Sequence, residues 1–232
     1  MKFNIIVAMD NNRGIGLNNQ LPWSFKEDMN YFKNLTKGAG NNAIIMGKNT
    51  YHSINKELPY RDNIILSTTL TDIPDNMFLC KSMEELFDFI QNKKAPLLMN
   101  IKIPSTLLDI QHKRTPISSH DHNCVNWSAK TNSNNNLFEP IETVNTVFKE
   151  VPSSDKVQNY DEIWIIGGST IYKQFLDMPE YINKIYITHI EKDYNCDTFF
   201  PELPDYYKLI NSSISNDKDI LLNFKMYINN FK

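Results

Sequence analysis

The sequence predicts an α/β fold: a three-layer domain with a mixed, mostly parallel sheet, a C-terminal antiparallel hairpin and helices on both faces. Three observations carry that prediction. FNIIVAM (3–9) and NAIIMG (42–47) are short continuous apolar runs, the pattern of strands covered on both sides. Segments with apolar residues at spacings of three and four alternate with them. The chain then closes on YYKLINSSI and ILLNFKMYI, joined by NDKD, which reads as a hairpin.

The elements follow in order. After the strand 3–9 comes a polar loop, DNNRGIGLNNQ, and then LPWSFKEDMNYFKNL (21–35). There Ser24 and Glu27 have capping-box spacing, which starts a helix at Ser24, with Trp23 before it placed to staple the first turn. Phe25, Asp28, Met29, Phe32 and Leu35 fall on one face of that helix, apolar except for the acid. An acid in a first turn is favoured by the helix dipole. Alternatively, it lines a pocket, where an unpaired charge would raise its pKa or demand a partner. NAIIMG and NIILST (63–68) are buried strands, with a helical turn KNTYHSI and a proline-broken loop ELPYRD between them. SMEELFDFIQNK (82–93) is an amphipathic helix capped by Ser82, with Glu84 and Glu85 in its first turn. YDEIWIIGG (160–168), a helix through STIYKQFL (169–176) and the strand KIYITHI (184–190) complete the alternation.

Residues 97–159 break the rhythm, with nine asparagines, no glycine and six charges of each sign, a composition that reads as an Asn-rich insertion within one domain spanning 1–232. Val144, Val147, Phe148 and Val151 are spaced for one short helix in it. His112, His120, His122 and Cys124 lie there too, but HDHNC has no second paired-ligand module, so no metal site is expected. A net charge of −3 without a basic stripe excludes the nucleic-acid signature. The apolar run after Met1 is too short for a signal peptide, and no segment reaches membrane-spanning length. Cys80, Cys124 and Cys196, odd in number and far apart, imply reduced thiols and a cytoplasmic location.

Five of the seven glycines sit at three turns: Gly14 and Gly16, Gly47, and Gly167–Gly168. Glycine between a strand and a helix lets a ligand approach the backbone and offers free amides to phosphate. Gly47 precedes Lys48, Asn49 and Thr50, and Gly168 precedes Ser169 and Thr170. Neither turn matches the common dinucleotide or P-loop pattern. Two such turns beside an apolar face with an acid on it point to a nucleotide cofactor and a small substrate.

Taken together, IVAMDNNRGIGLNNQLPW, Trp23 spaced four residues before Asp28, IIMGKNTYHSI, LPYRDNIILS, WIIGGSTIY, ITHI and DTFFPE resemble the dihydrofolate reductase family, in the family's order, over 3–96 and 160–232. The resemblance implies reduction of 7,8-dihydrofolate to tetrahydrofolate by hydride transfer from NADPH to C6, with protonation at N5. It implies a catalytic set of Asp28, Thr188, Trp23 and Leu21, in which Asp28 holds the pterin and Thr188 hydrogen-bonds the acid. Ile6, Val7, Ala8, Leu21, Met29, Phe32, Ile54 and Leu58 match walls of the folate site, and Arg61 matches the arginine that forks onto the substrate's glutamate carboxylate. Ala8, Ile15 and Gly16 match the nicotinamide pocket, beneath a flap formed by 10–21. Gly167 and Gly168 match a pair joined by a cis peptide; Ser169, Thr170, Ile171 and Gly47, Lys48, Asn49, Thr50 are implied to hold the pyrophosphate. Ile166 and Tyr172 are assigned to both ligands. The 2′-phosphate falls to Lys48, Ser67, Thr68 and Lys81, point charges and hydroxyls where arginines are frequent. Thr170 and Tyr60 depart from a frequent arginine and a frequent glycine.

The same pocket implies that antifolate inhibitors bind. A variant makes the chain the reductase part of a fusion with thymidylate synthase. A sister reductase for another pterin is disfavoured by Asp28 and Arg61, and a non-catalytic member by an intact set of Asp28, Arg61, Gly167 and Thr188.

Overall fold

A computed structural model describes residues 1–92 and 159–231, all within one unit spanning 1–97 and 157–232. Its eight-stranded sheet runs β5-β4-β3-β6-β1-β7-β10-β9. The strands are β1 (Phe3–Met9), β3 (Asn42–Gly47), β4 (Arg61–Leu66), β5 (Phe78–Cys80), β6 (Ile163–Gly167), β7 (Ile182–Ile190), β9 (Tyr207–Asp217) and β10 (Ile220–Asn229). Pairing is parallel from β5 to β7 and antiparallel at β10 and β9, so the sheet is mixed and mostly parallel, as the apolar runs predict. A separate two-stranded ribbon pairs β2 (Gly14–Gly16) with β8 (Thr198–Phe199).

Alternation along β1 shows why its run is continuous. Phe3, Ile5 and Val7 pack on one face against α3 (Met83–Asn92) and α4 (Ser169–Leu176), through Leu86, Phe89, Phe175 and Leu176. Ile6, with Ile44, Ile65 and Trp164, packs on the other against α1 (Lys26–Lys37) and α2 (Lys48–Ile54), through Phe32, Leu35 and Ile54. Both faces are covered by helices, so both sides of the strand are buried and its one polar residue, Asn4, is hydrogen-bonded to Glu162. Each large apolar side chain buried in this way contributes about 1.5–3 kcal/mol.

Several boundaries differ from the sequence expectation. The capping box fails: α1 starts at Lys26 with Phe25 at its N-cap and no cap from its own side chain. Instead the Glu27 amide donates to Asp217 Oδ2 at 3.1 Å, and Lys218 Nζ donates to the Ser24 carbonyl at 2.7 Å. The hairpin turn therefore caps the helix from 190 positions away. Trp23 does not staple the first turn; it packs edge-on against Tyr194, with ring centroids 5.0 Å apart. The strand expected at 63–68 is Arg61–Leu66, leaving Ser67 and Thr68 in a turn. Ser82 does cap α3, its Oγ accepting the Glu85 amide at 3.2 Å. The readings placed on 97–158, including the short helix and the histidines, lie outside the described residues.

Candidate active site

The carboxyl ends of β1, β3 and β6 meet where the strand order reverses direction, the usual ligand crevice of an open α/β sheet. A cleft of about 430 Å³ opens there. On one side it is lined by Ile6, Val7 and Ala8 of β1, by Asp28, Met29 and Phe32 of α1, and by Ser53 and Ile54 of α2. Ile15, Gly16 and Leu21 of the 10–21 loop, Gly47, Lys48, Asn49 and Thr50, and Gly168, Ser169, Thr170 and Ile171 line the rest, with Ile166 and Tyr172.

Asp28 is the buried acid of this cleft, 8% exposed. Burial pushes its carboxyl above the ordinary range, and the hydrogen bond with Thr188 offsets only part of that. The register explains the pair: Thr188 lies beside Ala8 across β7 and β1, and Ala8 lines the cleft. Tyr172 donates its hydroxyl to the Ile6 carbonyl at 2.8 Å; burial and then the nearby Asp28 charge raise its pKa, so it stays neutral. The dipole explanation of Asp28 alone does not account for an acid at the back of an apolar cleft.

The glycine turns are backbone-close to the cavity. A Cβ on Gly47 would stand 2.9 Å from Ile171 Cγ1, and one on Gly167 would stand 3.1 Å from Tyr172 Oη. The Gly167–Gly168 peptide is cis. These turns, with the first amides of α4, make a cradle suited to an anionic dinucleotide. Beyond it the two lysines converge: Lys48 Nζ donates to Thr69 Oγ1 at 3.3 Å and Lys81 Nζ donates to the Leu70 carbonyl. Ser67 Oγ accepts the Thr69 and Leu70 amides, shaping that turn.

Some sequence-derived site residues lie outside the cleft lining. Ser67, Thr68 and Lys81 sit at the turn just described, and Gly167 lies behind its neighbour. Leu58 packs at the edge of the core, and its amide donates to Asn63 Oδ1 at 2.9 Å. Trp23 is buried below the loop, its Nε1 without an acceptor among the described residues. Arg61 is buried at the start of β4, under the last turn of α1. Met29 and Leu21 line the cleft but are half exposed, at its mouth.

The cleft also takes in Asn19, Gln20, Ser53, Leu66 and Thr198, to which the sequence reading gave no individual role. Thr198 arrives through the β2–β8 ribbon, opposite Gly16. Asp10 organises that loop: its carboxylate accepts amides from Asn12 at 2.9 Å, Gly14 at 2.7 Å and Tyr194 at 3.1 Å. An acid at a strand end gave a weak signal of this. Asp197 Oδ2 likewise accepts the Asn18 amide at 2.8 Å. Among the described residues Cys80 and Cys196 are free thiols outside the cleft lining, and burial pushes Cys80 up to about 12. Among the described residues no metal-holding cluster occurs, and no helix is long and apolar enough to cross a membrane.

Comparison with known proteins adds an independent finding. A protein-family model described as dihydrofolate reductase matches residues 2–101 and 129–230. The chain is 28% identical to a dihydrofolate reductase of Drosophila melanogaster, covering 96% of this chain and 89% of the relative. Against the dihydrofolate reductase of Sus scrofa it is 28% identical, over 98% and 97%. Against a viral dihydrofolate reductase of Saimiriine herpesvirus 2 it is 29% identical, over 97% and 83%. The two matched stretches of the family model leave 102–128 between them, inside the span 97–159.

Proposed function

The chain belongs to the dihydrofolate reductase family, and from that premise we propose that it reduces 7,8-dihydrofolate to 5,6,7,8-tetrahydrofolate with NADPH as the reductant. As a member of that family it is an oxidoreductase. The observation that carries the finer reading is Asp28: a single desolvated acid, tied to Thr188, facing a cleft whose far wall is built from two glycine turns.

NADPH supplies the hydride. Its fit to this chain rests on the two glycine turns that line the cleft, packed so closely that a Cβ on Gly47 would press on Ile171, and on the cationic turn beyond them. Gly47 to Thr50 and Gly168 to Ile171 would hold the pyrophosphate and Ala8, Ile15 and Gly16 would border the nicotinamide, all of them in the cleft lining; Lys48, with Ser67, Thr68 and Lys81 at the turn beyond the lining, would meet the 2′-phosphate.

Asp28 accepts hydrogen bonds from the amidine-like edge of the pterin and fixes its plane. Because burial raises its pKa, it favours a protonated pterin near neutral pH, which makes C6 a better hydride acceptor. The proton ends on N5. Ile6, Val7, Phe32 and Ile54 bury the ring, while Leu21 and its neighbours in the 10–21 loop cover the cleft and exclude water. Arg61 takes the carboxylate of the glutamyl end. The pocket also fits antifolates that present the same amidine edge. Free thiols at Cys80 and Cys196 favour a cytoplasmic enzyme.

The test is cofactor oxidation by the purified chain. NADPH should be consumed only when dihydrofolate is present, and faster than NADH at equal concentration. Consumption that is independent of dihydrofolate, or none at all, removes the assignment.

A further inference from the structure

We infer that Thr36 is a positioning residue that fixes which edge of the Arg61 guanidinium is offered to the substrate's carboxylate. The inference rests on the reading of Arg61 given above. Thr36 lies in the last turn of α1, fully buried. Its hydroxyl has one proton, and that proton goes to the Phe32 carbonyl at 2.7 Å. The oxygen is therefore left to accept, and it accepts from Arg61 Nη1.

The second restraint is Arg61 Nε, which donates to the Pro59 carbonyl at 3.1 Å. A guanidinium forks a carboxylate either side-on, through Nε and one Nη, or end-on, through both Nη atoms. With Nε committed, the side-on fork is closed. One N–H on Nη1 and both on Nη2 remain, and these form the end-on fork. Among the described residues, the side-chain partners of Arg61 are a hydroxyl and a carbonyl, both neutral. The positive charge is thus held in a fixed plane and still available to an incoming anion.

Thr36 is itself anchored. Asn42 Nδ2 donates to the Thr36 carbonyl at 3.1 Å, and Asn42 Oδ1 accepts the Glu162 amide at 3.1 Å, which ties the helix end to β3 and the start of β6. The neighbouring pair repeats the contact: Lys37 Nζ lies 4.2 Å from the centroid of the Tyr60 ring. Tyr60 has φ of 65°, a left-handed conformation that glycine adopts more easily. Two consecutive helix residues therefore hold Tyr60, the last residue of the turn, and Arg61, the first of β4. Lys37 steadies the turn, and Thr36 aims the arginine that follows it.

The experiment compares full-length wild type, Thr36→Val and Thr36→Ser on two substrates, dihydrofolate and a dihydropterin lacking the glutamyl tail. Thr36→Val should raise the KM for dihydrofolate about ten-fold, leave kcat within two-fold, and leave kcat/KM for the tail-less substrate unchanged. Thr36→Ser should restore the wild-type KM. In an Arg61→Ala background, Thr36→Val should add nothing further. An unchanged KM, an equal loss on both substrates, or an effect that persists without Arg61 overturns the inference. Should Thr36→Val not fold, Thr36→Ala against Thr36→Ser reads the same way. A wild type that reduces the tail-less pterin as well as dihydrofolate, with the same KM, overturns the role of Arg61 instead. A wild type that reduces neither overturns the proposed function.

Discussion

Asp28→Asn separates what the carboxylate does for turnover from what it costs the fold. Thr188 can still hydrogen-bond the asparagine carbonyl, so one contact and the side-chain shape are kept. The second oxygen becomes an NH2 group, a donor aimed at the donors of the pterin edge. Losing a charge-assisted hydrogen bond costs about 1.5–3 kcal/mol. Losing the acid's support for the proton costs a further 10²–10⁴-fold, roughly 3–5 kcal/mol of barrier. Turnover at pH 7 should therefore fall by at least about 10²-fold. The deficit should shrink as pH falls, because solvent then protonates the substrate without help. Stability should move the other way. Burial raises the Asp28 pKa, so its contribution to stability is fully present below the unfolded value near 3.8 and is lost as pH rises through the folded value. The neutral asparagine escapes that loss, so the unliganded variant should melt above wild type at pH 8 and level with it at pH 3.5. Stopped-flow or steady-state NADPH oxidation gives the first result and thermal melts across pH the second. Near wild-type turnover at pH 7, or a variant less stable than wild type at pH 8, refutes the reasoning.

Three further outcomes follow from the geometry. Asp217→Ala removes the borrowed cap of α1 and should cost about 0.5–2 kcal/mol, a drop of a few degrees in melting temperature; no change would mean solvent caps the helix equally well. Gly14→Ala places a Cβ 2.5 Å from Cys196 Cβ and 2.8 Å from Asp10 Oδ2, and should cost about 1–3 kcal/mol while loosening the loop over the cleft, read by a melt and a fall in kcat/KM. Lys81→Ala should raise the KM for NADPH by about ten-fold and leave that for NADH nearly unchanged, since the proposed partner of that ammonium is the 2′-phosphate, which NADH lacks.

The sheet was legible because its strands are covered on both faces, which leaves uninterrupted apolar runs such as 3–9 and 42–47. The short strands escaped notice for the opposite reason. Phe78–Cys80 and Thr198–Phe199 carry too few residues to show a period, and the second exists through its pairing with Gly14–Gly16. The start of α1 was misplaced because Ser24 has the right chemistry locally, while the group that caps the helix sits in a hairpin turn far along the chain. Asp28 and the glycine turns were visible as local anomalies: an acid on an apolar face, and glycines where strands end. The parts that depend on long-range convergence were not readable. Asp10 gathers three amides, and Thr36 fixes the guanidinium of Arg61, only after the chain has folded.

Deuterium transfer tests the core of the account most directly. The chain is given dihydrofolate and NADPH carrying deuterium on the transferred side of nicotinamide C4, and the product is analysed by mass spectrometry and NMR. The account predicts tetrahydrofolate with one deuterium at C6, in step with NADPH consumed, and little of it from Asp28→Asn at pH 7. Oxidised cofactor without labelled tetrahydrofolate, or full labelling by the asparagine variant, contradicts it.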